Sequence, residues 1–74
     1  MLRVKHERLR RGWNQTALAF HAGLSVPEVS RIETGRLRPY PRQLARLSAV
    51  LGLDGAVLLE VVDSAAFEQS APAI

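Results

Sequence analysis

QTALAFHAGLSVPEVSRIET, residues 15–34, reads as two short helices meeting at a tight turn. Leu18, Ala19 and Ala22 share one face of the first helix, and Ala19 is small where a second helix must cross close. Gly23 follows where the helix must stop, because glycine enters the left-handed conformation without a Cβ penalty. Leu24 then plugs the corner. Ser25 and Glu28 have the spacing of a capping box, in which each side chain reaches the other residue's backbone N–H. Pro27 lies inside the first turn, where its missing N–H costs nothing. Val29 and Ile32 give the second helix, residues 25–34, an inward face, and Gly35 ends it. The pattern is that of a helix-turn-helix.

Gln15, Ala19, Gly23, Val29, Ile32 and the closing SRIETG (residues 30–35) resemble the Cro/Xre, lambda repressor-like class of DNA-binding domains. The resemblance extends from RVKxxRLxxGWNQ (residues 3–15) to RPYPRQLARLSAVLGL (residues 38–53) and covers most of the chain. It implies an all-α bundle of about five short helices, a DNA-binding domain over residues 1–62, and a tail or helix extension over 63–74.

Length and charge agree with that picture. The chain's 74 residues make one domain, near the lower limit for burying an unstapled core. It has no cysteine, so disulfide frameworks and thiolate zinc sites are excluded, which suits a reducing compartment. No apolar run is long enough to span a bilayer and no signal-peptide core precedes the first helix, so a cytoplasmic protein is expected. The resemblance adds a bacterial or phage origin. Net charge is +3 and unevenly spread. Residues 1–46 hold all ten Lys/Arg against Glu7, Glu28 and Glu33, while residues 47–74 hold four acids and no base. A basic half of this kind is the footprint of a nucleic-acid-binding face, although solvated basic surfaces are common in small proteins.

Along the chain, residues 2–11 read as helix one from their helix formers and the stop at Gly12. Arg8 stands on the face of Val4, at i+4, and points to the core. The resemblance implies that Arg8 pairs with Glu33 as a structural clamp. Trp13 reads as a lid over the core, and Asn14 as the cap of the next helix. Helix four begins at Pro41 and turns Leu44, Leu47, Ser48 and Leu51 inward. Tyr40 stands where a serine or threonine cap belongs; it leaves that cap unexplained unless the ring lies against a sugar-phosphate chain. Asp54 is expected to cap a fifth helix carrying Val57, Leu58, Leu59, Val61 and Val62. That is more apolar surface than so small a domain can cover with itself, so Leu58, Leu59 and Val62, with Phe67, are expected at a two-fold dimer interface.

Chemistry-bearing motifs of other kinds are missing. His6 and His21 have no partner at metal-binding spacing, no phosphate-binding glycine loop or nucleophile motif occurs, and no enzyme activity, metal or cofactor is expected. The resemblance places base-reading positions at Val26, Pro27 and Arg31, with Ser25 and Ser30 at the margin. Val26 and Pro27 offer apolar contact suited to a thymine methyl, which leaves Arg31 as the strong hydrogen-bonding reader, preferring guanine. Gln15, Thr34, Arg36, Arg38 and Arg42 form the phosphate set, with Arg3 and Lys5 as further candidates. The function implied is a transcriptional repressor acting as a homodimer on double-stranded DNA. Two alternatives stand beside it: an antitoxin engaging a toxin through its C-terminal region, and an interaction adaptor that keeps the fold without reading sequence.

Overall fold

The computed structural model describes residues 1–62, which form five helices: α1 Arg3–Arg10, α2 Gln15–Ala22, α3 Val26–Glu33, α4 Pro41–Leu51 and α5 Gly55–Leu58. The tail, with Phe67, lies outside the described residues.

Local chemistry sets most of the boundaries. Asn14 Oδ1 accepts from Ala17 N–H at 2.8 Å and opens α2. Gly23 closes it at φ 67°, with Leu24 N–H reaching Ala19 O and Gly23 N–H reaching Phe20 O, the two bonds of a Schellman cap. Ser25 Oγ accepts from Glu28 N–H at 3.2 Å at the head of α3. The reciprocal half of that capping box is replaced, because the Glu28 carboxylate accepts instead from Gln43 Nε2 at 3.3 Å. At the head of α4, Gln43 Oε1 accepts from Tyr40 N–H at 2.8 Å, the glutamine half of a capping box.

The fifth helix departs from expectation. It is a single turn, and Asp54 contributes its backbone carbonyl, which accepts from Val57 and Leu58 N–H, rather than a side-chain cap. The chain then runs extended beside the N-terminus. Leu2 and Val61 form an antiparallel bridge, Val62 N–H donates to Met1 O at 2.7 Å, and Arg3 N–H donates to Glu60 O at 2.8 Å. The last of these satisfies an N–H at the start of α1, a helix with no side-chain cap.

The core gathers Val4, Leu18, Ala19, Ala22, Val29, Ile32, Leu47, Leu51 and Leu58, one or more from every helix. Leu44 and Ser48, expected inside, are half-buried. Leu58 is fully buried, which removes it from the expected dimer strip: its side chain fills the core and cannot meet a second copy. Leu59 and Val62 are half-buried, and Val61 is 78 % exposed. No described helix is long and apolar enough to cross a membrane.

Candidate nucleic-acid interface

The ten cations of the chain divide into two groups. Those of α1 are mostly committed to the protein itself. Glu7, 5 % exposed, is surrounded by Arg11 Nη1 at 2.9 Å, Arg10 Nη2 at 3.1 Å and Arg3 Nη1 at 3.8 Å. Burial pushes the Glu7 carboxyl up, but the hydrogen bonds and charges of Arg11 and Arg10 outweigh it and hold the group below its ordinary value. Arg11 Nη2 also donates to Leu51 O at 3.0 Å, closing the C-terminal end of α4. Arg8 grips Glu33 with two bonds, Nε to Oε2 at 2.7 Å and Nη2 to Oε1 at 3.1 Å, and gives Nη1 to Trp13 O at 2.8 Å.

The second group stands free. Arg31, Arg36, Arg38 and Arg42 are all exposed, and none makes an ion pair among the described residues. They run from the last turn of α3 through the loop into the first turn of α4. Lys5 and Arg46 also make no ion pair among the described residues. Arg46 is exposed too, but it donates to Gly23 O at 2.6 Å and so braces the turn of the motif.

Helix α3 separates two faces. Val29, Ile32 and Glu33 are buried, while Ser25, Val26, Pro27, Arg31 and Thr34 are exposed and Ser30 is half-buried. The residues expected to read bases therefore lie on the outward side. The Arg31 carbonyl accepts from both Arg36 and Leu37 N–H, which ties the basic loop to the end of this helix. Pro39 and Pro41 fix the backbone on either side of Tyr40, which is 68 % exposed and lies between Arg38 and Arg42 in the sequence.

Two of the expected phosphate donors are engaged inward. Gln15 Nε2 donates to Glu33 Oε1 at 3.1 Å, leaving one of its two amide hydrogens for an outside acceptor. The Thr34 hydroxyl donates back to carbonyls of α3, Ser30 O at 3.0 Å and Arg31 O at 3.2 Å. Arg3, a further phosphate candidate, faces Glu7. Trp13 packs half-buried against the core with His21 stacked on it at 4.4 Å. Among the described residues no cluster of His, Cys, Asp or Glu could hold a metal ion.

Sequence reasoning missed Gln43 and Arg46. Gln43 carried a signal, three residues after Tyr40 in the place a capping-box glutamine takes. Arg46 carried none, since its partner is a backbone carbonyl in the turn after α2.

A model of a helix-turn-helix domain matches residues 2–61, nearly the whole described chain. The chain belongs to that helix-turn-helix domain family. The match is consistent with the Cro/Xre resemblance, and helix-turn-helix domains serve DNA-binding regulators. Neither a search of curated proteins nor one of solved structures gave a match.

Proposed function

We propose that this helix-turn-helix protein is a sequence-specific transcriptional regulator that represses by occupying a promoter as a homodimer. Helix α3 lies in the major groove. Val26 and Pro27 rest against a thymine methyl, and Arg31 makes a bidentate contact with guanine O6 and N7. Arg36, Arg38 and Arg42 hold the phosphates on the flanking strand, joined by the free amide hydrogen of Gln15 and by the Tyr40 hydroxyl. The work is binding, with no enzymatic step and no cofactor, and it takes place in the cytoplasm.

The observation that carries this reading is the division of the cations. A merely solvated basic surface has no reason to neutralise its α1 arginines against buried Glu7 and Glu33 while leaving four arginines bare from the last turn of α3 to the first turn of α4. Guanidinium groups left without a carboxylate are suited to phosphate oxygens, whose geometry matches their fork of donors.

The dimer is supported by Val61, exposed beside half-buried Leu59 and Val62, at the opposite end of the sequence from the basic half. A two-fold axis there presents two copies of α3 to successive major grooves, and the operator is an inverted repeat. Selecting bound duplexes from a random pool tests the whole reading. An inverted repeat with a guanine in each half-site is the expected result; a pool that never enriches refutes it.

A further inference from the structure

We propose that Gln43 is a positioning residue that fixes the reading helix against the gripping loop and thereby sets base discrimination. The proposal rests on the DNA-docking reading above and deepens it. Gln43 is 5 % exposed, and both ends of its amide are used: Oε1 accepts from Tyr40 N–H at 2.8 Å and Nε2 donates to Glu28 Oε2 at 3.3 Å. The orientation is forced, because a backbone N–H can only donate and a carboxylate can only accept.

Each partner belongs to a different half of the interface. Glu28 sits on the first turn of α3 with Val26 and Pro27, and its own N–H is held by Ser25 Oγ. Tyr40 ends the loop that carries Arg36 and Arg38, just before Arg42. One amide therefore joins the readers to the grippers. The far end of α3 is held separately by Glu33, bonded to Arg8 and Gln15. With Gln43 in place, α3 is pinned at both ends and cannot roll about its axis without breaking a clamp.

Rolling α3 matters more to readers than to grippers. Hydrogen bonds to base edges weaken steeply as their angles degrade. Long arginines holding phosphates follow a small displacement by changing rotamer. Loss of the clamp therefore lowers discrimination between sequences while leaving sequence-independent affinity in place.

A residue that merely capped α4 would need only Oε1, whereas the clamp needs Nε2, and one substitution separates the two. Gln43→Glu keeps an acceptor for Tyr40 N–H but sets a carboxylate against that of Glu28. The test compares wild type, Gln43→Glu, Glu28→Gln and the double swap Gln43→Glu/Glu28→Gln by fluorescence anisotropy. Each is titrated on a selected duplex and on its scrambled counterpart, at a temperature where circular dichroism shows it folded. Gln43→Glu is expected to lower the ratio of the two affinities roughly tenfold, the scale of one lost charge-assisted bond, with scrambled-duplex affinity nearly unchanged. The swap restores the ratio, because donor and acceptor have only exchanged places.

A swap that fails to restore the ratio overturns the proposal, and so does a Gln43→Glu variant that loses equally on both duplexes. If Gln43→Glu does not fold alone, Glu28→Ala takes its place, deleting the partner carboxylate without touching the α4 cap; an unchanged ratio there is equally fatal. A wild type that prefers no duplex refutes the DNA-docking reading itself, and that outcome is distinct from failure of the clamp.

Discussion

Replacing Arg8 by methionine removes the cation from the most buried polar contact of the domain and keeps most of its aliphatic length. The side chains of Arg8 and Glu33 are 8 % and 1 % exposed. Without the guanidinium, Glu33 retains a single side-chain donor, Gln15 Nε2, and the Trp13 carbonyl loses its partner. Stranding a buried charge in this way costs roughly 3–5 kcal/mol. A chain of 74 residues has a total stability of roughly 4–11 kcal/mol, so a quarter or more of it is at stake. For a domain of this size the melting temperature falls by roughly 12–40 °C. Glu33→Leu strands the opposite charge and is expected to fall in the same range. The double variant Arg8→Met/Glu33→Leu leaves no uncompensated charge, so it melts well above the temperature that the summed single losses give. Thermal melts by circular dichroism, run as a double-mutant cycle, measure the coupling directly. Single losses under about 1 kcal/mol that add without coupling would refute the clamp.

Three further outcomes are expected. Because Glu7 titrates below its ordinary value in the fold, its contribution is fully present above the unfolded carboxyl pKa and is lost as pH falls through the folded one. Denaturant melts across the acid limb should therefore show a shallower decline for Glu7→Gln than for wild type; parallel curves would mean that Glu7 is not the group responsible. Gly23→Ala forces a left-handed alanine at a cost of about 1–2 kcal/mol, and its Cβ would stand 2.9 Å from Arg46 Nη1. Melting should drop by roughly 4–16 °C, and an unchanged melt would deny that this glycine sets the turn. Arg31→Ala should cost roughly 1–3 kcal/mol on the selected duplex and relax preference at a guanine, whereas Arg38→Ala should weaken all duplexes alike. Equal losses from both variants on selected and scrambled duplexes would erase the distinction between reader and gripper.

The helix-turn-helix was legible because its signals are local. Asn14, Gly23 and Ser25 each act within a few residues of themselves, and each takes its place in the fold for the reason its chemistry gives. The C-terminal end was misjudged because its decisive contact is remote. The apolar run from Val57 to Val62 has the composition of a helix, but Val61 pairs with Leu2, and the helix stops after one turn. Leu58 was consequently placed on a surface when it fills the core. Side chains that cross between helices were equally hidden. Spacing pointed Glu28 back to Ser25, and the resemblance set Gln15 over a phosphate, while the structure gives their side chains Gln43 and Glu33 as partners. Charge counting found the basic half but not its division, which depends on Glu7 and Glu33 being buried beside α1.

The salt dependence of DNA binding tests the central claim most directly. If Arg36, Arg38 and Arg42 each neutralise a phosphate, two copies on an operator release counterions with a slope of log K against log[salt] near −5, within roughly −4 to −7 as neighbouring groups join. Arg38→Ala should flatten that slope by about 2 for the pair of copies, while Gln43→Glu leaves it as it was. Anisotropy titrations between low and physiological salt measure both. A steep wild-type slope that Arg38→Ala reduces is the predicted result, and a flat wild-type response would contradict the assignment of this face to DNA.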